Sequence, residues 1–360
     1  MGLKRILAAD ALARLAEFDA VIDARSEGEY AEDRLPGAIN WPSLNDAERI
    51  AIGTEYKQIS PFEARKRGAV LVARNIARHV EAHLMDQPRD WKPLVYCWRG
   101  GQRSGALSTV LEQIGFSVHV LEGGYREFRR AVLLELETQP AAFEWRVVIG
   151  RTGSAKSRLL QALQAQGEQV LDLEAIACHK GSVLGPLPGQ PQPSQKRFET
   201  LVWEALCAFS PTRPVYVEGE SRTIGRLRVP ERLLESLRAA TCIQIEMPLA
   251  ARVDFLLVDY DYFVVDTDSF CERLNALREL RGNAVVARWQ EQARAGDLAP
   301  VVQELLTEHY DPVYLRSMQR NFQHFGQAQT LNLPDGLPAT LEAAARQLAA
   351  VTPTDTSAPG

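Results

Sequence analysis

The 360-residue chain holds 41 Lys and Arg against 46 Asp and Glu, a net charge of −5, and 46% of its residues are hydrophobic. This is the composition of an ordinary globular chain of about two domains, with no global charge that would draw it to nucleic acid. Its five cysteines, odd in number and without C-x-x-C spacing, fit neither a disulfide framework nor a zinc site.

The first twenty residues lack the uninterrupted apolar run of a secretory leader. The apolar stretch from Phe255 to Val265 is broken by Asp259 and Asp261 and is too short to cross a bilayer. A cytoplasmic location without membrane attachment is expected. Asp10 to Glu17 reads as a short helix and Ala20-Val21-Ile22-Asp23 as a buried strand. A turn from Ala24 opens another short helix, and Leu35 to Pro42 reads as a turn and a brief strand. Residues 45 to 90 are expected to be helical, most clearly from Glu63 to His83.

The apolar run Pro93-Leu94-Val95-Tyr96 leads into Cys97-Trp98-Arg99-Gly100-Gly101-Gln102-Arg103-Ser104, and Gly105 to Ile114 continues as a helix. A cysteine at a strand end, a Gly-rich turn and a helix N-terminus build an anion pocket from inward amides and the helix dipole. Such surroundings lower a thiol pKa and make the thiolate available as a nucleophile. Arg99, Gly100, Gly101, Gln102, Arg103 and Ser104 are therefore anion-binding candidates around Cys97, with Arg103 offering a planar fork to an oxyanion. A strand from Ser117 to Leu121 and the turn Glu122-Gly123-Gly124-Tyr125 follow, then another helix. Alternating strands and helices predict a parallel sheet with active loops at the strand C-terminal ends.

Residues 20 to 42 and 94 to 130 resemble a rhodanese domain, on Val21-Ile22-Asp23-Ala24-Arg25, Leu35-Pro36-Gly37-Ala38-Ile39-Asn40, the loop from Cys97 and Leu121-Glu122-Gly123-Gly124-Tyr125. Many rhodaneses have a shorter loop. The five residues between Cys97 and Arg103 match cell-division-cycle phosphatases of the same fold and suit a phosphate-like donor.

Thr138-Gln139-Pro140-Ala141-Ala142 reads as a linker. The strand Trp145-Arg146-Val147-Val148-Ile149 then runs into Gly150-Arg151-Thr152-Gly153-Ser154-Ala155-Lys156-Ser157, with a helix from Arg158 to Gln166. This resembles a Walker A loop in its strand–loop–helix context. Gly150, Thr152, Gly153, Ser154, Ala155, Lys156 and Ser157 are expected to cradle a diphosphate. Lys156 would reach the outer phosphate, and Ser157 is a candidate ligand for Mg²⁺. Ala155 stands where the motif usually has glycine; its methyl narrows the backbone's approach and argues for phosphate binding over efficient ATP use.

A second strand, Gln169 to Leu173, presents Asp172 and Glu174, and the Pro- and Gly-rich stretch from Gly185 to Ser194 reads as a mobile loop over the site. An amphipathic helix is expected from Phe198 to Phe209. The strand Pro214 to Val217 delivers Glu218, Glu220 and Arg222, acids placed where a Walker B carboxylate holds metal-bound water. Cys178-His179 has no second ligand pair at metal spacing. Ile243 to Met247 reads as a fourth strand, with Arg252 beyond it at the place of a kinase lid arginine. A mostly helical remainder closes with a strand from Gln329 to Leu333. Two basic clusters, Lys57 with Arg65-Lys66-Arg67 and Arg126 with Arg129-Arg130, are candidate RNA contacts, with a solvated helix face as the plainer account of each. The domains are thus expected at 1–137 (rhodanese-like α/β), 138–144 (linker), 145–335 (P-loop α/β) and 336–360 (a C-terminal helix and frayed tail).

The combination is similar to the tRNA 2-selenouridine synthase family over nearly the whole chain. The likeness includes Glu48-Arg49, Gly53-Thr54, Tyr56-Lys57, Asp172-Leu173-Glu174, His179-Lys180-Gly181-Ser182, Glu220-Ser221-Arg222-Thr223-Ile224-Gly225 and His309-Tyr310-Asp311-Pro312. The resemblance implies a cytoplasmic enzyme acting on the wobble 2-thiouridine in the anticodon arm of tRNA. Geranyl diphosphate would first alkylate the sulfur. Selenium from selenophosphate would then be carried on Cys97 as S-selanylcysteine and replace the geranylthio group. A selenophosphate-producing enzyme is an implied partner. A phosphatase would need only the first domain, an ATP-linked sulfurtransferase is disfavoured by Ala155, and a non-catalytic tRNA-binding protein would keep its activity after Cys97→Ser.

Overall fold

The computed structural model describes residues 3–182 and 184–350, so the tail expected to fray from Thr352 lies outside the described residues. Among the described residues no helix is long and apolar enough to cross a membrane. The chain divides into two units, the first running to Leu136 and taking in Pro193–Glu204, the second comprising the rest.

In the first unit five short strands, β1 (Lys4–Ile6), β2 (Ala20–Asp23), β3 (Ala38–Asn40), β4 (Pro93–Tyr96) and β5 (His119–Leu121), form one parallel sheet in the order β1-β5-β4-β2-β3. β4 is buried at every residue, as a central parallel strand covered on both faces must be. Ile22, Val95, Leu107, Leu111 and Phe116 build the core beside it. The edge strand β1 was not anticipated; its three residues are too few to show a period. The long helical stretch resolves into two helices, Asp46–Gln58 and Pro61–His83. Asn45 and Glu48 close a capping box on the first, and Ser60 caps the second ahead of Pro61, which cannot continue a preceding helix.

The Asp23-Ala24-Arg25 motif is a buried framework. Arg25, 1% exposed, binds the Asp23 carboxylate at 2.6 Å and gives a second bond of 2.6 Å to the Asp33 carbonyl. Tyr96 donates its hydroxyl to Asp23 at 2.7 Å, and the Arg25 guanidinium lies 4.0 Å from the Tyr125 ring centroid. Residues 193–204 close the same unit: Thr200 donates to Asp33 at 2.9 Å, Trp203 donates to Glu135 at 2.6 Å, and Arg129 pairs with Glu199. Burial raises the Asp33 carboxyl above its ordinary value, and the Tyr125 and Thr200 hydroxyls work against it.

The second unit holds β6 (Trp145–Gly150), β7 (Gln169–Leu171), β8 (Val215–Glu218), a small hairpin of β9 (Thr223–Ile224) and β10 (Leu227–Arg228), then β11 (Thr241–Glu246) and β12 (Gln329–Asn332). The large sheet is parallel throughout in the order β12-β11-β6-β8-β7. Its apolar face packs against the helices Lys156–Ala165 and Pro338–Ala349 through Val148, Leu159, Leu163, Ile245, Leu341 and Leu348. A separate helical cluster gathers Phe270, Leu274, Val286, Trp289 and Leu305. The strand expected through Leu173 stops at Leu171, because Asp172 turns to cap the helix Leu173–Ala177. The stretch expected as a linker contains a helical turn, Gln139–Ala142, in which Pro140 is buried and its carbonyl accepts the Trp145 indole N–H at 2.7 Å.

Candidate functional site

The first site grows from the end of β4. Cys97 is 3% exposed, and its carbonyl accepts the Tyr125 N–H at 2.8 Å, which ties the cysteine loop to the Gly-Gly-Tyr turn. That turn must be glycine: a Cβ on Gly124 would fall 2.2 Å from the Cys97 carbonyl oxygen and 2.5 Å from the Gly100 nitrogen. Gly100 itself has φ +65°, the left-handed region where glycine avoids the steric cost. Gly101 precedes the helix Gln102–Ile114, so the helix's N-terminal amides rise beside the sulfur. The buried Ser104 hydroxyl points to Cys97 Sγ at 3.1 Å.

One expected role changes here. Arg103 does not present its fork to the loop; it binds Glu29 at 2.6 and 3.3 Å. Glu29, the capping-box residue of the helix Glu27–Glu32, also takes Arg49 at 3.0 Å. Burial works to raise the Glu29 carboxyl, but Arg103 and Arg49 outweigh it and hold it below its ordinary value. Arg99 is exposed on the loop with no ion-pair partner among the described residues, which leaves it as the loop's available guanidinium.

The second site forms where β6 ends, between β11 and β8 at the middle of the sheet. Ala155 has φ +59° and is 3% exposed, so the backbone keeps the left-handed conformation that the usual glycine adopts. An L-residue pays about 1–2 kcal/mol there. Lys156 donates to the Gly150 carbonyl at 2.9 Å and lies 3.4 Å from Glu218. The Ser157 hydroxyl reaches Glu218 at 2.9 Å and Glu174 at 3.1 Å. The loop, Lys180 and Glu174, Glu218 and Glu220 line one pocket.

Oxygen atoms of Glu174, Glu218 and Glu220 lie within 4.8 Å of one another. Burial, then the charge of Glu218, pushes Glu174 and Glu220 far above the ordinary carboxylate range. Three crowded carboxylates beside a hydroxyl are a hard oxygen donor set, which fits Mg²⁺.

Other expected site residues serve elsewhere. Asp172 accepts the Ala175 N–H at 2.9 Å as a helix cap. Arg222 is exposed and pairs with Glu231 at 3.1 Å, outside the pocket. Arg252 is 2% exposed and is bound bidentately by Asp311 at 2.9 and 2.7 Å, while its Nε donates to the Thr152 carbonyl at 2.8 Å. It braces the phosphate loop through the Thr152 carbonyl and does not line the pocket. Residues 185–194 do not line the pocket; Lys180, Gly181 and Ser182 do. Gln192 in that stretch is held by the Ala177 and Ile224 carbonyls. Sequence reasoning missed Tyr314, whose hydroxyl accepts the Gly150 N–H, and Asp259, which binds Lys180. The His309-Tyr310-Asp311-Pro312 motif was visible, but its service to Arg252 was not.

A rhodanese-like domain model matches residues 7–131, and a model described as the tRNA 2-selenouridine synthase AAA domain matches residues 143–276. The chain is 34% identical over 337 residues to a tRNA 2-selenouridine synthase of Chromohalobacter salexigens, covering 84% of this chain and 88% of that protein. A namesake from Marinobacter nauticus is 31% identical, with 82% of this chain and 87% of that protein covered. One from Nitrosomonas europaea is 35% identical over 67% of this chain and 63% of that protein. With a rhodanese sheet presenting Cys97 and a P-loop sheet presenting Lys156, the chain belongs to the tRNA 2-selenouridine synthase family.

Proposed function

We propose that the protein converts wobble 2-thiouridine in the anticodon arm of tRNA to 2-selenouridine in two reactions, one at each anion loop. The observation that carries this reading is the pairing of two such loops in one chain, of which only the first holds a thiol, Cys97. In the first reaction the thiouridine sulfur attacks C1 of geranyl diphosphate, the C1–O bond breaks, and diphosphate leaves with the bonding electrons. Lys156 and the amides from Thr152 to Ser157 hold the departing charge, a stabilisation that grows as the bond breaks. Ser157, Glu174, Glu218 and Glu220 would hold Mg²⁺, which when bound neutralises diphosphate oxygens. Arg252 keeps the Thr152 carbonyl turned away from the anion, so that the loop's donors face it.

In the second reaction the Cys97 thiolate attacks phosphorus of selenophosphate and the P–Se bond breaks, so selenium departs at the selenide level while Cys97 holds the phosphoryl group until water removes it as phosphate. The released selenide attacks C2 of the base, the C2–S bond breaks and geranylthiolate leaves; carriage on Cys97 as S-selanylcysteine would need a two-electron oxidant. Arg99 and the Gly100, Gly101 and Gln102 amides bind the phosphate portion, and Ser104 stabilises the sulfur as an anion. Arg103 orients the loop through Glu29 and is a positioning residue. A selenophosphate-producing enzyme supplies this donor.

Nucleoside mass spectrometry tests the scheme. The protein is given thiolated tRNA with geranyl diphosphate alone, selenophosphate alone, or both. Geranylthiouridine from the first mixture and selenouridine only from the third are expected. Selenouridine formed with no prenyl donor overturns the two-reaction order.

A further inference from the structure

Within the second unit, an apolar cavity adjoins the P-loop pocket. The two share Thr152, Ser182, Leu256, Tyr260 and Tyr310, so one wall serves both. The phosphate loop lies directly on that wall: a Cβ on Gly153 would meet Leu256 Cδ1 at 2.9 Å. The side chains that line only the cavity are almost all hydrocarbon, among them Phe263, Phe270, Leu298 and Val302. Phe263 and Phe270 are both buried, with ring centroids 5.3 Å apart. A polar, acid-lined pocket sharing a wall with an apolar one is matched by a ligand with the same division. Such a ligand has a diphosphate at one end and an unbranched or isoprenoid hydrocarbon at the other.

We propose that this cavity seats the hydrocarbon chain of the diphosphate donor, and that Phe263 and Phe270 limit the chain length accepted. The proposal rests on the diphosphate reading of the P-loop and adds the site and the selection rule for the tail. Nucleotides, whose polar ribose and base cannot be satisfied among Leu298, Val302 and Phe270, are disfavoured by the same walls. Each methylene taken from water into such surroundings raises affinity about fourfold.

The test is calorimetric titration of the full-length protein with inorganic, dimethylallyl, geranyl and farnesyl diphosphates. Affinity is expected to climb from inorganic diphosphate to the ten-carbon donor by at least a hundredfold, and to fall again for the fifteen-carbon one. Val302→Trp, which fills the cavity, is expected to cut geranyl diphosphate affinity at least tenfold and leave inorganic diphosphate unchanged, the latter showing the P-loop intact. Phe270→Ala is expected to shift the optimum toward farnesyl diphosphate. A flat series in the wild type, with inorganic diphosphate binding as well as geranyl diphosphate, overturns the cavity's role alone. Failure of every diphosphate to bind overturns the P-loop reading and this proposal with it.

Discussion

Ser104 places its hydroxyl 3.1 Å from Cys97 Sγ, a contact made inside the protein and away from solvent. A hydrogen bond to an anionic sulfur is charge-assisted, and its loss is worth about 1.5–3 kcal/mol. Cys97→Ser is expected to abolish selenouridine while geranylthiouridine still accumulates. Ser104→Ala should slow selenium insertion roughly 10- to 150-fold and leave geranylation unchanged. Quantifying both nucleosides in the product tRNA checks this. Loss of both from a folded Cys97→Ser protein would defeat the assignment of one reaction to each loop.

Lys156→Ala should weaken geranyl diphosphate binding about 10- to 150-fold, the worth of one charge-assisted contact, with capture of the selenophosphate phosphoryl group on Cys97 retained. Calorimetry measures the first quantity and mass spectrometry of the intact protein the second. Unchanged donor affinity would give the loop another purpose.

The carboxylates of Glu174, Glu218 and Glu220 resist sharing ionisation, and Glu220 is pushed up to about 8. A raised carboxyl pKa stabilises the fold at low pH, and that contribution is lost as pH rises through the raised value. A cation held by these carboxylates would replace the missing protons. Mg²⁺ should therefore raise the melting temperature more at pH 8.5 than at pH 6, roughly the two sides of that value. Glu218→Gln is expected to remove the Mg²⁺ effect. An equal Mg²⁺ shift in that variant would place the ion elsewhere.

Of the three arginines near the end of the first unit, Arg126 and Arg130 have side chains 59% and 81% exposed, whereas Arg129 is engaged with Glu199. Only the exposed pair can be replaced without disturbing the fold. If they meet RNA phosphates, the double Arg→Ala variant should lower the magnitude of the salt slope for tRNA binding by about 1.4, roughly 0.7 for each contact. Affinity measured over a salt series decides it, and an unchanged slope reduces both residues to a solvated helix face.

Arg25→Met removes the partner of a fully buried Asp23 carboxylate. Such a loss typically costs about 3–5 kcal/mol. Urea unfolding of the variant should show a loss of unfolding free energy of that size, and a loss below about 1 kcal/mol would mean the Asp23 charge is compensated without Arg25.

What the sequence disclosed was local. The cysteine loop and the phosphate loop are contiguous runs, each set between an apolar strand and a helix, so their chemistry could be read from spacing alone. The roles of single arginines could not. Arg103 meets Glu29 across 74 positions, and Arg252 meets Asp311 across 59. Nothing in local period or composition distinguishes an arginine aimed at an anion from one already held by a carboxylate. The acids at Glu174 and Glu218 were legible as strand-end charges, yet their convergence on Ser157 required the parallel order of β6, β8 and β7.

Residues 193–204 have a practical bearing on dissecting the enzyme. A fragment ending at Leu136 would be missing the Thr200 hydroxyl from the buried Asp33 carboxylate, the Glu199 partner of Arg129, and the Trp203 ring from the edge of Phe128. Excising the rhodanese-like unit by truncation therefore uncovers its own interior. Restoring it calls for a graft of the helix Gln195–Cys207 behind a tether or as a supplied peptide. For the same reason, a freestanding single-domain ancestor joined to the second half by simple end-to-end fusion would have had to surrender, or acquire, that helix in the process.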